Sequence, residues 1–204
     1  MIAIIVLAAG KSTRFAKNKL LALVDGEAMI RRVAKEALHS MADKVVVVLG
    51  HEADRVREVL RGLDDTGKLQ LVYNERYEEG MSSSIKAGLH AVDDAAEAVI
   101  ILPGDYALMT SRPIDALIKE YQVSGGPILI ASFQGKRGHP ILIDRSLFDE
   151  VKEINEETMG LRKVVRAHSN EVKLVEVNSK EVLIDIDTFE DYARYVERAG
   201  HGAR

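Results

Sequence analysis

The 204-residue chain contains no cysteine. Disulfides and thiolate metal sites are excluded, and the composition fits a reducing cytosol. A basic excess is also missing. The formal net charge is −4, whereas a nucleic-acid binder ordinarily carries a surplus of Lys and Arg. Small anionic ligands are still permitted, because they need only a local positive pocket. Nor is there a long apolar run. The opening stretch from Ile2 to Ala9 is too short to cross a bilayer and has no basic segment ahead of it. Internal repeats and low-complexity linkers are absent. The expectation is a soluble cytoplasmic protein with neither nucleic acid nor membrane as partner.

What is present is a rhythm. Apolar residues make up 47% of the chain, enough to fill the core of one α/β domain. "IAIIVL", "KVVVVLG", "LQLVYN", "AVIILPGD" and "PILIASF" are short β-branched runs, as expected of strands buried on both faces. Between them lie helical stripes such as Met29, Ile30, Val33, Ala34, Ala37, Leu38 and Met41. The alternation predicts a three-layer, Rossmann-like, mostly parallel sheet with helices on both faces and right-handed crossovers. After about residue 134 the rhythm loosens. "VKLVEV" and "VLIDID" read there as two further strands, and "TFEDYARYVERA" as a closing helix.

Sheets of this kind bind ligands at the carboxyl ends of their strands. "AAGKSTR", "NERYEEGMSSS" and "PGDYAL" stand at those ends. GKST invites a P-loop reading, which needs G-x-x-x-x-G-K-[S/T]. Ile5 occupies the place of the first glycine, so the loop cannot wrap phosphates in that way. The dinucleotide fingerprint G-x-G-x-x-G is absent too. Phosphate chemistry nevertheless survives in the stretch. Ala8, Ala9 and Gly10 let backbone N–H groups approach a ligand closely, and Lys11, Arg14, Lys17 and Lys19 concentrate positive charge in one loop.

Five segments in order carry a resemblance. "LAAGKSTRFAKNKLL" resembles L-A-A-G-x-S-x-R-x-x-x-x-K-L-L of the nucleotidyltransferases that act on the molybdenum cofactor. "EGMSSSIKAGL", "IILPGD", "GKRGHPILI" and "DIDTFEDY" are similar to that family's later motifs. The first loop reads L-A-A-G, as in the cytidylyl branch, rather than the L-x-G-G typical of the guanylyl branch. The resemblance spans nearly the whole chain. It implies a nucleotide-diphospho-sugar transferase-like fold forming a single domain over 1–204. A nucleotide-binding half would cover about 1–110, and an acceptor-binding half about 111–199.

The implied reaction moves a CMP group from CTP to the terminal phosphate of a molybdopterin-type cofactor, with release of diphosphate. Mg²⁺ would serve as cofactor, with Mn²⁺ as a substitute, and a molybdoenzyme would receive the product. Leu7, Ala8, Ala9 and Gly10 would contact the nucleotide, and Arg14 and Lys19 would neutralise the triphosphate. Lys11 and Lys17 would be rim charges. Gly80, Ser82 and Ser84 would form the base and ribose pocket, although the serines also suit a helix cap. Asp105 would be catalytic and hold the metal, with Asp187 or Asp185 as second ligand. The rival reading of that pair is an N-cap with an acidic first turn. His139 and Arg162, beside Gly160, would face the acceptor.

The chain departs from the family pattern in places. Phe15 and Ala16 stand where Met-Gly is usual, Tyr106-Ala107 replaces x-Pro after the G-D, and Phe189 replaces a proline. Lost prolines loosen loop geometry without removing chemistry. Two alternatives stay open: a sugar or polyol phosphate as acceptor, or a non-catalytic cofactor-binding or insertion protein.

Overall fold

The computed structural model describes residues 1–12, 15, 18–92 and 95–197. Its centre is β1 (Ile2–Ala8), whose seven residues are all buried. Their side chains alternate between two cores, as strand geometry demands. Ile2, Ile4, Val6 and Ala8 face α1 (Met29–His39), α2 (Ala53–Leu60) and α4 (Ser111–Ser124). Ala3, Ile5 and Leu7 face α3 (Met81–Ala91), α5 (Phe148–Lys152) and α6 (Leu161–Ala167). Ile4 and Ile5 are wholly buried on opposite faces. Each contributes about 1.5–3 kcal/mol of apolar burial.

A small hairpin of β2 (Leu23–Val24) and β3 (Glu27–Ala28) leads into α1. The main sheet has seven strands. β1 pairs in parallel with β4 (Lys44–Leu49) on one side and β6 (Ala98–Pro103) on the other. β5 (Leu69–Tyr73) extends the β4 side. Beyond β6 lies β8 (Lys136–Asp144), which runs antiparallel to it, then β7 (Ile128–Phe133) and β9 (Val172–Glu176). The chain winds outward from β1 to β5, then returns to place β6 on the other flank of β1. The carboxyl ends of β1 and β6 therefore form a topological switch point, where such sheets open a crevice.

The observed fold is the mostly parallel α/β sheet expected from the sequence. Two local readings need correction. "VLIDID" is not a strand: Lys180–Leu183 form a 3-10 turn, and the following residues join no ladder. Val182 and Ile186 are buried in the core, and the Ile186 N–H donates to the Asp105 carbonyl at 3.0 Å. The segment thus crosses the end of β6 instead of extending an edge. Gly138 of β8 makes room for it, since a Cβ there would lie 2.1 Å from the Val182 carbonyl oxygen. "SRPIDALIKEY" reads in sequence as a helix opening on a serine cap, and in α4 that cap is not formed. Thr110 is the N-cap, and the Ser111 N–H donates to Glu36 Oε2 at 2.8 Å.

Candidate active site

Two cavities open at the carboxyl edge. The first, of about 420 Å³, lies over the switch point and is bordered by Leu7, Ala9, Gly10, Gly80, Ser84 and Asp105. The Gly104 N–H donates to the Leu7 carbonyl at 2.9 Å, which ties the end of β6 to the end of β1. Asp105, the next residue, is thereby fixed at the cavity edge.

Lys19 is the electrostatic centre of this cavity. It opens a 3-10 turn, Lys19–Leu21, whose start is fixed by Asn18: the side-chain oxygen accepts from the Leu20 N–H at 3.1 Å. From there Nζ reaches Asp105 Oδ2 and Asp187 Oδ1, both at 2.7 Å. The three side chains are only 14%, 19% and 27% exposed. Burial works against the ammonium, but the two carboxylates outweigh it, so the lysine pKa is raised. Asp105 Oδ1 is buried and has no hydrogen-bond partner among the described residues.

Asp185 lies close to this bridge in sequence. Burial raises its pKa first, and the nearby Asp187 and Asp105 charges raise it further. Ionised Asp185 therefore costs the folded state stability at neutral pH. The cost vanishes below the ordinary aspartate pKa, where both states are protonated. In metal-free buffer Asp185→Asn raises the melting temperature at pH 7, and the gain fades as the pH falls through the acid range. A thermal scan across pH checks this, and a gain that persists at pH 3 contradicts it.

Ala8 packs in the core and does not line the cavity. Lys11 is 47% exposed and pairs with Glu78 at 2.6 Å. Arg14 and Lys17 lie outside the described residues. The serines divide their labour. Ser83 donates to the Gly80 and Arg76 carbonyls, while Asn74 Nδ2 donates to Ser83 Oγ at 2.8 Å and Ser84 Oγ at 3.1 Å. Neither Ser82 nor Ser84 caps α3, whose N-cap is Gly80. The Ser82 N–H and hydroxyl both donate to Glu156 Oε1 at 2.7 Å. Glu156 and Asn74 were not selected from sequence. The position of Asn74 just past β5, at the ligand edge, was the available signal.

The second cavity, of about 730 Å³, adjoins the first at Met81 and Pro103. It contains His139, Arg162, Gly160 and Ser82, and also Arg137 and Arg166, which the sequence reading had not selected. Burial pushes the His139 imidazole down to about 4, so the ring is neutral at physiological pH. Nδ1 is buried without a hydrogen-bond partner among the described residues, and the ring meets Tyr106 edge-on at 5.0 Å. Each cavity draws on distant parts of the chain: Asp187 reaches the first, and Met81 and Ser82 the second.

Among the described residues no group of three or more His, Asp or Glu side chains could hold a metal by itself. A metal here would rely on the Asp105–Asp187 pair, completed by phosphate oxygens and water, the mode Mg²⁺ prefers. The orphaned Asp105 Oδ1 fits such a ligand. No helix among the described residues is long and apolar enough to cross a membrane.

This architecture agrees with comparisons to known proteins. The chain belongs to the MobA-like NTP transferase domain family, whose model matches residues 4–172. It is thus an enzyme of the nucleotidyltransferase class. The molybdenum cofactor cytidylyltransferase of Escherichia coli (strain K12) is 25% identical over 195 residues, covering 95% of each chain. The bifunctional protein GlmU of Synechococcus sp. (strain CC9605) is 28% identical over 132 residues, which are 64% of this chain and 28% of that one. The chain therefore spans less than a third of the length of that relative. Among solved structures, the Rv0371c homologue from Mycobacterium sp. strain JC1 has a TM-score of 0.81 at 26% identity, covering 98% of this chain and 96% of that one. Rv0371C from Mycobacterium tuberculosis H37Rv, solved in complex with manganese, has a TM-score of 0.78 at 23% identity, covering 96% and 98%. That last likeness is one of fold.

Proposed function

We propose that the protein transfers a CMP group from CTP to the terminal phosphate of a molybdopterin-type cofactor. The observation that carries this reading is the pair of adjoining cavities. One holds the Lys19–Asp105–Asp187 bridge, and the other holds a neutral buried histidine with three arginines. The nucleotide would lie in the first cavity, with its α-phosphorus near the junction at Met81 and Pro103. An oxygen of the acceptor's phosphate attacks α-phosphorus. The bond from α-phosphorus to the α–β bridging oxygen breaks, and diphosphate leaves.

Such a reaction needs no protein nucleophile. It needs positioning and cations. Lys19, and Arg14 by its place in the motif, would offset triphosphate charge. Bound Mg²⁺, with Mn²⁺ as a substitute, would be held by Asp105 and Asp187 and would supply further positive charge against the phosphate oxygens. On the acceptor side, Arg162 would grip the terminal phosphate. His139, with Nδ1 free to accept, would receive a hydrogen bond from a donor on the acceptor's body. CTP is favoured over GTP because Ala9, at the alanine-or-glycine position, borders the nucleotide cavity. Delivery of the product to a molybdoenzyme would follow.

The test is direct. The protein is incubated with each nucleoside triphosphate, Mg²⁺ and purified cofactor. The expected result is diphosphate release with CTP and a product whose mass joins CMP to the pterin. Diphosphate release only with a sugar or polyol phosphate would move the acceptor to that class.

A further inference from the structure

Two aromatic residues far apart in the sequence meet in space. Phe15 follows β1 in the nucleotide loop. Phe189 lies near the other end of the sequence, as the first residue of α7 (Phe189–Tyr192). Their ring centroids are 6.2 Å apart. Tyr192 completes the group, edge-on to Phe15 at 6.0 Å and stacked on Phe189 at 6.1 Å. The Tyr192 hydroxyl donates to the Leu23 carbonyl. The cluster therefore joins three segments: the loop after β1, the β2 hairpin and α7.

The neighbourhood explains why such a joint matters. Asp187 lies two residues before Phe189, in a segment that joins no sheet ladder and falls beyond the 4–172 match to the family model. Thr188 caps α7 in a capping box with Asp191. Asp191 Oδ2 also accepts from the Asp187 N–H at 3.3 Å. A rigid α7 therefore carries the Asp187 backbone with it. Phe189 is at the first helical position, where a proline is preorganised for a helix. This chain has no proline there. Phe189 is also 60% exposed, so burial does not account for it.

We infer that Phe15, Phe189 and Tyr192 form an aromatic clasp that positions Asp187 against Lys19 and Asp105. The inference rests on the reading of Asp187 as a site residue. The three rings are positioning groups and touch no reacting atom.

The test begins with hydrogen exchange of the full chain, which needs neither metal nor substrate. Phe15→Ala and Phe189→Ala should each speed exchange of amides 184–192 about tenfold, with β1 and β6 unchanged, as expected of local opening. Phe189→Tyr should restore the wild-type rate. Mn²⁺ titration with CTP present, followed by water-proton relaxation, should show a parallel loss of affinity in both alanine variants. Wild-type exchange at 184–192 in Phe15→Ala overturns the clasp. So does a uniform rise across the sheet, which would make the rings general packing. The reading of Asp187 fails separately if Asp187→Asn binds Mn²⁺ as wild type does.

Discussion

Lys19→Met lowers kcat/KM about 10²–10³-fold, the usual loss when one preorganised charge is removed from a transition state. Methionine keeps the stem length and the apolar contacts and deletes only the ammonium. Lys19→Arg does not restore activity, because a planar guanidinium cannot place one atom 2.7 Å from both Asp105 and Asp187 as Nζ does. The variant has a second signature. Without Nζ, the partly buried Asp105 and Asp187 carboxylates lose the cation they share, so Lys19→Met melts lower than wild type at neutral pH. Because the folded-state lysine pKa is raised, the ammonium is fully charged below the ordinary lysine pKa, and the pairing holds there wherever the two carboxylates are ionised. Excess Mn²⁺ narrows the melting difference by supplying the missing positive charge. Diphosphate release and thermal scans with and without Mn²⁺ check both parts. Near-wild-type turnover in Lys19→Met would remove the lysine from the mechanism.

Asp105→Asn costs at least about 10³-fold in kcat, roughly 4 kcal/mol of transition-state stabilisation, with little change in fold. The amide oxygen can still accept from Lys19. The backbone carbonyl that receives the Ile186 N–H is untouched. What is lost is the charge on Oδ1, the buried atom without a partner among the described residues. Mn²⁺ affinity with CTP present should therefore fall together with kcat, while the melting temperature stays close to wild type. A variant that binds Mn²⁺ normally yet turns over slowly would assign Asp105 a role other than metal binding.

The sheet was legible because β1, β4 and β6 are β-branched runs buried on both faces, a pattern that local sequence specifies. Asp105 was legible because it follows such a run at the ligand edge. The pairing of Lys19 with both Asp105 and Asp187 was not, because it depends on how the last segment folds back over β6. "VLIDID" has the alternation of a strand, yet burial of Val182 and Ile186 in the core claims those side chains without a ladder. Ser82 and Ser84 were grouped by motif, but residues two apart on a helix do not share a face. Ser84 borders the first cavity and Ser82 the second.

The reversal of β8 has a consequence for how such an enzyme diversifies. In a strand running with β6, Arg137, Gly138 and His139 would lie at the far, amino edge of the sheet. Because β8 runs the other way, its opening residues arrive at the crevice, directly after the β7–β8 hairpin. That hairpin thus brings Arg137 and His139 to the second cavity, opposite Arg162 and Gly160. Residues inserted or deleted there would re-aim Arg137 and His139 while leaving the β1–β6 junction in place. The lining of the second cavity can thus change through that hairpin while the first cavity keeps its shape.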